Sequence, residues 1–104
     1  MKKIAILSTV GFEHSELTKP QEFFTQAGHT VEVISPQTGS IEAALDKDPV
    51  TVNKTLDEAS AEDYDALILP GGLLNPDILR TIEPAVAFVR HFVEADKPLA
   101  AICH

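Results

Sequence analysis

Three short apolar runs constrain this chain most: Ile4 to Leu7, the Ala-Leu-Ile-Leu of Asp65 to Leu69, and Leu99 to Ile102. A strand exposed on one face alternates apolar with polar residues, whereas a parallel strand covered on both faces need not. None of the three alternates, so each reads as a buried strand of a parallel sheet, the last as a fully buried central one. Parallel neighbours need crossovers, and the sequence supplies helical stretches between the runs. The first begins near Leu17, with Ser15 or Thr18 as cap and Pro20 in its first turn, carries Phe23, Phe24 and Ala27 on one side, and stops at Gly28. Another opens at Pro84 and runs through Ala95, with Ala85, Phe88, Val89, Phe92 and Val93 as its apolar stripe and Arg90 and Glu94 paired on the other face. Thr30 to Ser35 alternates, as an outer strand would, and Val50 to Asn53 reads as a short peripheral strand between the turn at Gly39 and the rest. Alternating strands and helices predict an α/β, flavodoxin-like, doubly wound parallel sheet, and 104 residues without an internal repeat predict a single domain.

Composition narrows the partners. Sixteen acidic against eight basic residues give a formal net charge of −8, which disfavours nucleic acid and anionic membranes, since both reward clustered Lys and Arg. Small molecules or protein side chains remain. No apolar run is long enough to span a bilayer, and the Ile4 to Leu7 segment behind Lys2 and Lys3 is too short for a signal peptide. A single cysteine cannot form an internal disulfide, which suits a reducing, cytoplasmic setting.

That cysteine, Cys103, stands directly beyond the third apolar run, with His104 next to it. In an open parallel sheet the carboxyl ends of the strands form the crevice where ligands bind. Three segments converge there: Phe12-Glu13-His14-Ser15-Glu16 after the first strand, the Pro70-Gly71-Gly72 turn, and Cys103-His104. A cysteine with a pKa near about 8.5 is only about 3% thiolate at pH 7, so a nucleophile here needs a lowered pKa, two units of which are worth about 2.7 kcal/mol. An ionised Glu16 about 4 Å away would oppose this by about 4 kcal/mol at an effective dielectric of 20. The expectation is therefore a protonated Glu16 that donates a hydrogen bond to the thiolate, the pair titrating together.

Gly11-Phe12-Glu13-x-x-Glu16-Leu17-x-x-Pro20, then Asp65 to Gly72, then Lys97 to His104, resemble the PfpI intracellular-protease branch of the ThiJ/PfpI superfamily from end to end. The resemblance implies a reactive cysteine on a strand-to-helix elbow, Cys103, with the acid Glu16 against its sulfur and His104 as base. It also implies an acid, best matched by Asp77, that reaches the histidine from the second subunit of a homo-oligomer. The backbone amides of Gly72 and His104 are candidates for an oxyanion hole in acyl transfer. Family members continue beyond the Cys-His pair, so the chain is expected to be the amino-terminal part of a longer domain, truncated after the elbow strand, with the activity belonging to the longer protein. That activity is cysteine-dependent hydrolysis at carbonyl groups, of the deglycase, glyoxalase or intracellular-peptidase kind, on small carbonyl compounds or on protein and peptide substrates. The alternative is a non-catalytic redox sensor or chaperone-like stress protein in which Cys103 is oxidised to sulfinic acid and Glu16 hydrogen-bonds the product.

Blander readings compete at each position. Cys103 could be a buried structural thiol, Glu16 a charge in the first turn of a helix, Asp77 a cap after Pro76, Glu13 a solvated loop acid, and Gly71-Gly72 only a turn. His14, His29 and His91 lack metal-ligand spacing, and no glycine pattern makes a phosphate loop, so neither metal nor cofactor is expected. Cysteine-elbow amidotransferases fit poorly, given Ala101 before the cysteine and His104 after it.

Overall fold

A computed structural model describes residues 2–9, 12, 14–42, 49–71 and 80–101. Strand β1 (Lys3–Leu7) is the centre of a wholly parallel sheet, flanked by β2 (Thr30–Ser35) on one side and β6 (Ala66–Leu69) on the other. A two-residue strand, β5 (Lys54–Thr55), lies outside β2, and β7 (Leu99–Ala101) lies outside β6, giving the order β5-β2-β1-β6-β7. Between β2 and β5 the chain makes a small antiparallel pair, β3 (Ser40–Glu42) with β4 (Pro49–Thr51). This is the doubly wound α/β architecture predicted from the non-alternating runs.

Side chains along β1 divide between two cores. Ile4 and Ile6 point to the face covered by helix α1 (His14–Gln26), where they join Leu17, Val33, Ile41, Val50 and Ile68. Ala5 and Leu7 point to the opposite face, where Ile34, Tyr64 and Leu67 pack with Ala85, Phe88 and Phe92 of helix α2 (Glu83–Glu94). Both faces of the strand are dry, which is why its sequence does not alternate.

Helix α1 starts three residues before the predicted Leu17. Pro20 therefore sits in its second turn, and the Glu16 carbonyl forgoes the N–H that any other residue would offer. Its end is as read: Gly28 has φ 93°, the Gly28 N–H bonds the Thr25 carbonyl, and the His29 N–H bonds the Phe24 carbonyl, a Schellman arrangement. Asp96, with φ 58°, fills the same place after α2. The apolar stripes are narrower than predicted. Leu17 and Phe24, seven residues apart, share the inward face of α1, which turns Phe23 out to 66% exposure; Val93 is likewise turned out beside the buried Phe92.

The predicted burial of the last strand is corrected. β7 pairs with β6 alone, through Leu67↔Leu99, Ile68↔Ala100 and Leu69↔Ala101, and all three of its residues are exposed. It is an edge among the described residues, because nothing there pairs with its outer side. Gly11, Glu13, Gly72, Asp77, Ile102, Cys103 and His104 lie outside the described residues.

Lysines do structural work at the loop ends. The Lys97 ammonium donates to the Tyr64 carbonyl at 2.8 Å and reaches the Ala61 carbonyl at 3.4 Å, tying the 3₁₀ turn Ala61–Asp63 to the start of β7. On β2, Glu32 accepts a 2.6 Å hydrogen bond from the Tyr64 hydroxyl, with the ammonium groups of Lys54 and Lys3 at 3.5 and 3.8 Å. Burial works to raise the Glu32 pKa, but Tyr64, Lys3 and Lys54 together outweigh it and hold the carboxyl below its usual value. Burial and the neighbouring carboxylate push the Tyr64 phenol well above its ordinary value.

The signs predict where this contact matters. A depressed carboxyl contributes stability above its unfolded pKa and loses it as pH falls through the folded value; a raised phenol loses its contribution as pH climbs past the unfolded tyrosine value of about 10. Tyr64→Phe is expected to lower the unfolding free energy by about 1–2 kcal/mol at pH 7 in urea titrations. The difference from wild type should shrink in acid and again above about pH 10.

Candidate active site

The apolar run of β1 ends at Ser8 and Thr9, two buried hydroxyl residues at the carboxyl edge of the sheet. The Ser8 N–H extends the ladder to the Ile34 carbonyl at 2.9 Å, and the Ser8 hydroxyl turns to the Thr9 carbonyl at 3.3 Å. Phe12 is fully buried in the α1-side core, so the connection that sequence reading treats as a loop is pinned at its middle. The chain enters α1 at His14 and presents Glu16 in the first turn, where a carboxylate is favoured by the helix dipole.

Glu16 does more than sit at a helix start. Its Oε1 accepts the backbone N–H of Gly71 at 2.9 Å, across 55 residues of sequence. Pro70 and Gly71, which follow β6, are both buried. Two of the three predicted segments therefore meet at the edge predicted for them, joined through a carboxylate and a main-chain amide. Strand β7 ends at the same edge, because its last residue, Ala101, pairs with Leu69, the last residue of β6. Cys103, His104, Asp77 and Gly72 complete the predicted set and lie outside the described residues, as does Glu13.

Ser8 and Thr9 were not among the predicted site residues. Their signal is legible in retrospect: small hydroxyl side chains placed directly at the carboxyl end of a buried parallel strand, where an apolar residue would continue the core. Two histidines have structural partners. His29 Nδ1 accepts the Lys2 N–H at 3.0 Å, and His91 Nε2 lies 3.2 Å from the Lys97 ammonium.

Comparison with known proteins bears on the family and the fold. The sequence profile of the DJ-1/PfpI family matches residues 2–104. Protein/nucleic acid deglycase 2 of Escherichia coli is 45% identical over 104 residues, a match that takes in 99% of this chain and 60% of that protein. General stress protein 18 of Bacillus subtilis is 40% identical, again over 99% of this chain and 60% of the relative. The chain thus spans about three-fifths of the length of the curated relatives it matches. Among solved structures, a two-domain protein from Anabaena variabilis containing DJ-1/ThiJ/PfpI-like and ferritin-like domains superposes with a TM-score of 0.92 at 32% identity, covering all of this chain and 30% of that one.

The Glu16 contact gives a direct test of the edge. Glu16→Ala is expected to speed hydrogen exchange of the Gly71 amide by about tenfold, the loss of one hydrogen bond of about 1.4 kcal/mol, measured by NMR. Glu16→Gln keeps a carbonyl oxygen as acceptor and should leave the rate within about threefold of wild type.

Proposed function

Since the chain belongs to the DJ-1/PfpI family, we propose that the protein carrying these residues is a cytoplasmic, stress-related cysteine-dependent hydrolase of the deglycase or glyoxalase kind, acting on small carbonyl compounds or on the adducts they leave on proteins. The observation that supports it most is the Glu16 to Gly71 hydrogen bond, which gathers an acid and the Pro70-Gly71 turn at the edge toward which β7 delivers the chain. In this reading the Cys103 sulfur bonds to the carbonyl carbon as the π electrons of the C=O bond move onto oxygen. The amides of Gly72 and His104 stabilise that oxygen, and His104 supplies the proton that neutralises it. Glu16, fixed at one oxygen by Gly71, is the acid beside the sulfur, and Asp77 of a second subunit orients His104 in a homo-oligomer. With a net charge of −8 the surface does not favour polyanions, which leaves small carbonyls and protein side chains as the preferred substrates.

Methylglyoxal turnover by the longer protein tests the proposal. Cys103→Ser is expected to lower kcat/KM by at least about 10³-fold and Glu16→Gln by about 10²-fold. The pH midpoint of Cys103 alkylation should also move in Glu16→Gln and Glu16→Ala; an equal midpoint in all three proteins removes Glu16 from the mechanism. No turnover, together with stoichiometric peroxide oxidation at Cys103, would replace the enzyme by a redox sensor.

A further inference from the structure

Where α2 ends, the chain sets an ammonium beside an imidazole. The Ala95 N–H bonds the His91 carbonyl at 2.9 Å, Asp96 takes φ 58°, and the Lys97 N–H bonds the Phe92 carbonyl at 2.9 Å, so the backbone turns back at the end of the helix. This places the Lys97 ammonium 2.8 Å from the Tyr64 carbonyl, 3.4 and 3.5 Å from those of Ala61 and Glu62, and 3.2 Å from His91 Nε2. The Phe92 ring lies on another side, its centre 5.4 Å away. An ammonium has donors only, so its contact with His91 is a hydrogen bond only when Nε2 is the acceptor, that is, with a neutral imidazole protonated at Nδ1.

We propose that His91 and Lys97 form a proton-operated latch: with the imidazole neutral, the ammonium ties the end of α2, the Ala61–Asp63 turn and the start of β7 together, and protonation of the imidazole releases that tie. The latch goes beyond the enzymatic reading and does not depend on it. Protonation removes the lone pair that the ammonium uses and sets a second positive charge 3.2 Å from the first. The carboxyl end of a helix favours a cation, but Lys97 already fills that place. α2 makes its main contacts with the Ala61–Asp63 turn and with β6. β6 bears no titratable side chain, the turn bears Glu62 and Asp63, and the helix itself bears Arg90 and Glu94, one and three positions from His91. Beside the turn, Tyr64 offers its carbonyl, its hydroxyl being committed to Glu32. Among the described residues no carboxylate lies within ion-pair distance of the imidazole, so the added charge meets the ammonium uncompensated. The first bond of the β6–β7 ladder, from the Leu67 N–H to the Pro98 carbonyl at 3.1 Å, comes directly after Lys97 and is the one that loosens when the tie is released.

Amide hydrogen exchange of the longer protein at pH 8 and pH 5, read by NMR as protection factors, tests the latch. In the wild type the protection of the Leu67 amide is expected to fall at least about tenfold between the two, while that of the Ser8 amide, bonded to the Ile34 carbonyl on the other side of the sheet, changes by less than about threefold. Histidine is the side chain that ordinarily changes charge in this interval. Glu32 does not, because its neighbours hold its carboxyl below the usual value. His91→Gln keeps a neutral acceptor and should hold Leu67 protection within about threefold of the pH 8 wild-type value at both pH values; His91→Arg, a permanent cation, should show the low value at both. His29, which accepts the Lys2 N–H, is present in every variant, and the Ser8 amide reports that each is folded. Leu67 protection that is independent of pH in the wild type overturns the proposal. So does a fall that persists in His91→Gln, a fall shared equally by Ser8, or a His91→Arg protein as protected at Leu67 as the wild type at pH 8.

Discussion

Everything in this structure depends on β1 being paired on both sides and dry on both faces. Its N–H and C=O groups are committed to β2 and β6, and its side chains to two separate cores. A strand held in this way has no freedom of register, since a shift of one residue would send Ile4 and Ile6 into the space fitted to Ala5 and Leu7. The neighbouring strands run parallel to it, so their carboxyl ends come to one edge together. That is why an acid from the helix after β1 and an amide from the turn after β6 meet, although 55 residues separate them. The chemistry proposed for this edge is a consequence of strand direction before it is a consequence of any side chain.

How far this was legible in the sequence depends on what periodicity measures. It reports the environment a residue suits. Ile4 to Leu7 suits burial on two faces and finds it, and Gly28 suits positive φ and adopts it. Leu99 to Ala101 suits burial equally well and is exposed, because none of the described residues pairs with the outer side of β7. The same limit explains Phe23 and Val93: a helical stripe one residue too wide is still apolar, and only packing shows which member is displaced. Pro20 misplaced the start of α1 because a proline in the first turn is the commoner arrangement. β4 overlaps the stretch Val50 to Asn53 that reads as a short peripheral strand, but its partner β3 and the strand β5 were beyond reach for another reason. They are two or three residues long, and what stabilises the β2 edge there is partly a side chain, the Asn53 Oδ1 that accepts the Val33 N–H at 2.7 Å. At the candidate site the acid Glu16 was legible from its motif, but its partner was not. A backbone amide carries no signature in sequence, and Gly71 looks the same whether it turns the chain or holds a carboxylate.

Three of the eight Lys and Arg residues of this acidic chain are spent on shape. Lys3 and Lys54 flank Glu32, Lys3 also lies 5.0 Å from the centre of the Tyr64 ring, and Lys97 closes the turn before β6 while lying 5.4 Å from the centre of the Phe92 ring. Each bridges elements far apart in sequence, and each leaves less positive charge for a polyanionic partner. Tyr64 links the two roles, with its ring in the α2-side core and its hydroxyl on Glu32.

The two edges of the sheet are therefore unlike in kind. The carboxyl edge collects polar groups: Ser8, Thr9, Glu16 and the Gly71 amide. The amino edge, beneath a rim whose His29 and Asp65 atoms are already hydrogen-bonded, opens an apolar groove beside β7. β7 connects them. Among the described residues its three positions pair with one neighbour, and the sequence places Cys103 two positions beyond its end. A strand paired on one side opens at lower free energy than one paired on both, so β7 is held less firmly than β1 or β6, whose ends lie at the edge where Glu16 meets the Gly71 amide.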